Sequence, residues 1–187
     1  MALIHFIFEL FKILIQSAIY SSIILFGINS LVKPKPGSLF YFFKNEKALA
    51  WVLSWVIISI GLLFFMFSYY GDHGLGDSAR IPIGHHREIG QTDIMSHIEP
   101  KNKGVIYINE FIITDDYVYG TLEKHNLDLN QNYFVYDLKL NTVQLFDQII
   151  PLNSFLTSKN VSQESPYQTF GEHYNQYWNG WRFWLLP

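Results

Sequence analysis

No cysteine occurs in the sequence, which excludes disulfide staples, thiolate metal ligands and a cysteine nucleophile and leaves the redox compartment open. Charge is scarce as well. Asp, Glu, Lys and Arg make up 16% of the 187 residues, against roughly 25% in soluble domains. Beside 49% hydrophobic and 18% aromatic residues, this is the opposite of the polar, highly charged composition of disordered chains. The 13 basic residues are outnumbered by 16 acidic ones, so the basic surface of a nucleic-acid binder is lacking.

Charge is absent altogether from two stretches, the 20 residues Ile13–Val32 and the 23 residues Ala48–Tyr70. As helices they extend roughly 30 and 35 Å, the thickness of a hydrocarbon core of about 30 Å. Both read as transmembrane spans. The first is too long for a signal-peptide core, starts without a basic flank and is followed by no A-x-A site, so it reads as a retained anchor. Glu9 and Lys12, three residues apart, can pair where that helix leaves the bilayer. The chain then divides electrostatically. Residues 1–70 hold five Lys and two Glu, net +3, and residues 71–187 hold eight basic and 14 acidic side chains, net −6.

Lys33, Lys35, Lys44 and Lys47 between the spans, with Pro34, Pro36 and Gly37 as helix breakers, favour a cytoplasmic connection with both termini outside. Leu39–Phe43 would lie at the headgroup level. This topology is that of a bacterial inner-membrane protein with residues 71–187 in the periplasm. Neither uncharged stretch contains the ionisable groups that pumps and channels use. Both have small residues at helical spacing, Ser17/Ser21, Ala18/Ser22 and Ala50/Ser54, which let the two spans pack together or against a partner. Gln16 and Asn29 call for an interhelical hydrogen bond.

Residues 71–187 read as an α+β domain, with an antiparallel sheet or half-barrel first and a helix last. Expected strands are Arg80–Gly84, Arg87–Ile94, Val105–Ile113, Tyr117–Leu122, Tyr133–Leu138 and Thr142–Phe146, with a polar connection His125–Asn132. Phe134, Tyr136 and Leu138 alternate with Tyr133, Val135 and Asp137, and Val143 and Leu145 continue the apolar face across a turn. From Tyr167 to Pro187, eight of 21 residues are aromatic. Their spacing predicts one amphipathic helix, bent near Gly180. That helix packs on the sheet, lies on the membrane surface, or docks a partner through Tyr174, Tyr177, Trp178, Trp181, Arg182 and Trp184, the residue types that dominate binding hot spots.

Chemistry is thinly represented. His73, His85, His86 and His97, with Asp72 and Asp77, have the side chains of a divalent-metal site. Yet no H-E-x-x-H or H-x-H occurs, and on a strand His85 and His86 would point to opposite faces. Gly71–Asp77 is glycine-rich but lacks the lysine of a phosphate loop. Gly76-Asp77-Ser78 resembles the opening of the nucleophile block of GDSL-type hydrolases, which would give His173 the role of base. The downstream blocks of that family are missing. Asp115 and Asp116 fit a turn, and Asn160-Val161-Ser162 has the form of a glycosylation sequence.

The expectation is therefore a two-span membrane protein, an accessory or scaffold subunit binding a partner protein or a second copy, with no catalytic residues and no cofactor. A ligand-binding sensor with an aromatic pocket at Tyr117, Tyr119, Tyr133 or Tyr136 is the alternative. A metal-dependent hydrolase built on His73, His85, His97, Asp72 and Asp77 is the third.

Overall fold

A computed structural model of the protein describes residues 2–31, 33, 35, 37–124, 130–161 and 166–187. Pro34, Pro36, His125 and Ser162, and with it the glycosylation sequence, lie outside the described residues. The chain forms two compact units, residues 1–76 with 180–187, and residues 77–179.

The first unit is built on two long apolar helices, α1 (Ala2–Leu31) and α3 (Lys47–Met66), with a short α2 (Leu39–Asn45) between them. α1 starts eleven residues before the uncharged stretch, because the apolar pattern continues through Phe8 and Phe11. Glu9 and Lys12 form the expected pair, 3.5 Å apart. α2 takes up the aromatic segment Leu39–Phe43, and Ser38 caps it by accepting the Tyr41 amide. α3 ends at Met66 rather than near Tyr70, with Phe67 at its C-cap. The turns that follow are tight. A Cβ at Gly71 would sit 2.2 Å from the Phe65 carbonyl oxygen, so only glycine fits.

The helix seam carries the small residues. Ser17, Ser21 and Ala50 are buried. The Ser17 hydroxyl donates back to the Ile13 carbonyl (2.7 Å) and meets Ser59 Oγ of α3 at 2.7 Å. Trp51 Nε1 donates to Ser22 Oγ, and Trp55 Nε1 to the Leu14 carbonyl. The carboxyl-terminal α6 (Trp181–Leu185) belongs to this unit.

The second unit is an antiparallel meander, β1 (Ser78–Pro82), β2 (Glu88–Thr92), β3 (Met95–Ile98), β4 (Ile106–Ile113), β5 (Tyr117–Leu122), β6 (Tyr133–Asp137) and β7 (Thr142–Phe146). It is followed by α4 (Ile149–Ser158), a two-residue β8 (Gln168–Thr169) and α5 (Phe170–Trp178). Expected strand Arg87–Ile94 is in fact the start of a hairpin. Asp93 and Ile94 turn it with positive φ, and β3 returns in register Gly90↔His97. The edge of β4 is shared, with β3 pairing Ile106–Ile108 and β8 pairing Glu110 and Phe111.

Alternation divides the core as the sequence indicates. Phe134, Tyr136, Leu138 and Val143 join Ile81, Ile89, Ile98, Ile106, Ile108 and Phe111 on one face. Val135 and Tyr119 lie on the other, under Leu152 and Leu156 of α4. The expected single carboxyl-terminal helix is broken. Gly180, at φ 76°, separates α5 from α6, as its conformational freedom permits. Thr169 and Glu172 form a capping box that starts α5. Trp178 then donates its indole N–H to the Arg80 carbonyl at 2.7 Å. That bond covers the β1 edge, which would otherwise offer an unpaired strand.

Candidate functional site

The second unit contains a recess of about 560 Å³ lined mainly by β1 and β2, with His97 of β3 and Tyr136 of β6 closing it. Its walls are polar: Arg80, Arg87, Glu88 and Glu99 are the charged members, with His86, His97 and Gln91 beside them. Arg80 and Glu88 form an ion pair diagonally across the β1–β2 ladder at 3.4 Å, Arg80 itself being opposite Gly90. His97 is seated by a glycine. It pairs with Gly90 across the ladder, and a Cβ there would come within 2.7 Å of the ring's Cε1 and Nε2. The imidazole thus lies over bare backbone, with Tyr107 edge-on at 6.3 Å and Glu99 4.0 Å away. Tyr136 is held by its hydroxyl, which donates to Asn141 Oδ1 at 2.7 Å.

The histidine and aspartate candidates do not gather. His85 and His86 lie in a tight turn, not on a strand, both with positive φ and with Arg87 N bonded to Gly84 O. His85 reaches Asp116 Oδ1 at 3.1 Å while His86 lines the recess. His97 also lines the recess, but Asp77 does not. Asp72 and His73 belong to the first unit. Among the described residues, no group of three His, Asp or Glu side chains is arranged to hold a metal ion. Asp116 serves the β4–β5 turn. Its hydrogen bond from Lys139 (2.7 Å), helped by His85, holds its carboxyl below the usual carboxylate range. The GDSL-like reading loses its base, because His173 bonds the Phe111 carbonyl at 3.0 Å and stacks on the Phe111 ring at 4.6 Å.

The aromatic stripe is divided between two environments. Trp178 is 3% exposed, and Tyr174 and Tyr177, partly buried, pack against the sheet core of the second unit. Trp181 and Trp184 of α6 are 59% and 74% exposed, and the Arg182 guanidinium lies 4.8 Å from the Trp181 ring centre. Of the four tyrosines expected around an aromatic pocket, Tyr136 reaches the recess. Tyr119 is buried, and Tyr117 and Tyr133 pack near α4.

In the first unit, His5, Glu9, Asp72 and His73 surround a space of about 10 Å³, the size of one water. His73 Nε2 lies 2.9 Å from the Pro187 carbonyl. An oxygen acceptor requires the proton on Nε2. Burial is the main influence on this imidazole and pushes its pKa below the usual histidine range, against the opposing hydrogen bond and Glu9. A depressed histidine is neutral when folded and binds its proton more readily when unfolded. Its contribution to stability is therefore complete above the unfolded pKa of about 6.5 and is lost as pH falls through the folded value. An NMR titration of His73 is expected to give a midpoint below 6.5; a midpoint at or above that value would contradict the buried, neutral assignment.

The chain matches no family model, no curated protein and no solved structure.

Proposed function

We propose that the protein is a membrane-anchored accessory subunit that acts by binding and not by catalysis. In this reading α1 and α3 cross a bacterial inner membrane, the lysine-rich connection is cytoplasmic, and the β unit is periplasmic. The observation that carries it is the pair of long apolar helices, of 30 and 20 residues. Their outward side chains, among them Ile23, Ile57 and Phe64, are large, apolar and exposed. Such a surface is unfavourable in water and suited to lipid. The test has two stages. The protein should stay with membranes through alkaline carbonate and leave them only in detergent. Reporter fusions at Pro187 should be active only outside the cytoplasm. Extraction by carbonate removes the anchoring claim, and a fusion active only in the cytoplasm reverses the orientation.

The β2–β3 turn supports a binding role for the β unit. Ile94 has φ 67° and is 92% exposed. A β-branched side chain in the left-handed region costs roughly 1–2 kcal/mol, and here no burial offsets it. Strain of this kind concentrates where a side chain is used. Ile94→Gly, which suits the Asp-Gly form of this turn, should raise the stability of the protein by about 1 kcal/mol, measured by thermal or denaturant unfolding. The same variant should lose a membrane-protein partner or second copy that co-purifies stoichiometrically with the native chain in mild detergent. A lone monomer from both proteins would count against the accessory reading.

The recess favours a second reading, in which the β unit binds a small ligand. Two arginines face two glutamates there, so the formal charge balances and neither a polyanion nor a polycation is matched. A small zwitterion, carrying an amine and a carboxylate, fits both sets of charges, and the volume lies within the range of ligand pockets. Titration with a free amino acid such as glycine should shift the amide signals of Arg80, Gly90 and His97. Unchanged signals at millimolar concentration would remove this reading.

A further inference from the structure

We propose that residues 181–187 form a third membrane-embedded element, a short aromatic segment that lies in the headgroup–acyl boundary against α1. The proposal rests on the reading of α1 and α3 as spans.

Its basis is where the backbone carbonyls go. The last carbonyls of a helix have no partner within the helix, and on a wet surface water satisfies them. Here α1 and the chain after α3 supply side chains instead. Gln16 Nε2 donates to the Trp184 carbonyl at 3.1 Å and to the Leu186 carbonyl at 3.0 Å. Tyr20 donates its hydroxyl to the Leu185 carbonyl. His73 takes the Pro187 carbonyl, and the Leu186 amide returns to the Arg182 carbonyl at 2.8 Å. Four consecutive carbonyls are thus satisfied from within the protein, as a lipid environment demands and water does not.

The donors come from positions where polar groups are otherwise costly. Gln16 is buried and lies inside the uncharged stretch of α1. The side chains that α6 turns outward are Trp181, Phe183, Trp184 and Leu185. Trp at this density, with Arg182 against the Trp181 ring, is the composition of a membrane interface. Depth agrees as well. Phe183 lies under Lys12, with 4.9 Å from Nζ to the ring centre. Gln16 and Tyr20 are one and two turns further along α1, or roughly 6 and 12 Å, close to the insertion depth of interfacial helices. The occupant of this surface is therefore lipid.

The absence of cysteine makes the test direct. Single cysteines at Trp184 and, on the outward face of α3, at Ile57 are labelled with a small fluorophore, and the full chain is placed in phosphatidylcholine vesicles. Quenching by nitroxide on the lipid chains is compared with quenching by aqueous iodide. Both positions should be quenched by lipid nitroxide and shielded from iodide. Adding Gln16→Ala should raise iodide quenching at position 184 about twofold or more, by stranding two carbonyls. Iodide quenching at 184 beside lipid quenching at 57 overturns the third element and leaves the anchor standing. Iodide quenching at both overturns the anchor and this inference together. Leu185→Cys repeats the measurement if Trp184→Cys disturbs the fold.

Discussion

Gly120→Ala is expected to destabilise the β unit by about 3 kcal/mol, at the upper end of overpacking costs. Gly120 lies in β5 opposite the irregularity between Ile108 and Phe111 of β4. A Cβ there would sit 2.0 Å from the Glu110 carbonyl oxygen and 2.6 Å from Phe111 Cα. Both are backbone atoms, so no rotamer change relieves the contact. The strand must move, and Phe111 is wholly buried, paired to β8 and stacked on His173. One methyl group therefore disturbs the β4–β5 ladder, the β8 junction and the seat of α5. For a unit of this size the loss corresponds to about 15 °C in melting temperature. Gly171→Ala is the matched control. Nothing lies within 4 Å of its added Cβ, and alanine in a helix is favoured over glycine by up to about 1 kcal/mol. The two variants should shift stability in opposite directions. If Gly120→Ala melts with the native protein, the close approach at the bulge is not what fixes this glycine.

The elements most legible in the sequence were those whose signal is local. Absence of charge marked α1 and α3, and strict alternation gave β6 and β7 their faces, confirmed by the register Tyr136↔Val143. β3 was missed because its turn uses Ile94, a residue that gives no turn signal. α4 was not anticipated; it carries Pro151 in its first turn, where proline costs little. The aromatic spacing ran on through Gly180 and so suggested one helix where backbone conformation makes two. The candidate sites were harder still. His97 and Gly90 meet only through strand register, and Gln16 finds carbonyls 168 and 170 residues away. Neither relation leaves a periodic trace. The histidines drew attention by being close in sequence, yet tight turns and two separate units disperse them.

Ser17→Leu should open the helix pair, while Ser17→Ala should barely affect it. Ser17 is fully buried in the seam. Its hydroxyl donates to Ile13 O, so in their contact Ser59 is the donor. Removing that interaction alone, with alanine, costs about 0.6 kcal/mol, the average for such bonds between membrane helices. Leucine adds two heavy atoms to a position whose neighbours are α3 and the α1 backbone. The helices must separate, at a cost of about 2 kcal/mol. Separation also strands the Trp51 and Trp55 indole N–H groups, which now reach Ser22 Oγ and Leu14 O across the seam. In detergent or lipid, Ser17→Leu should therefore lower the unfolding midpoint markedly and change the tryptophan emission, whereas Ser17→Ala should do neither. The comparison also separates two uses of the small residues. If they close the seam between α1 and α3, the leucine variant loses stability as an isolated chain. If they face a partner instead, the isolated chain tolerates leucine and only the complex fails. The burial of Ser17, Ser21 and Ala50 within the pair favours the first outcome.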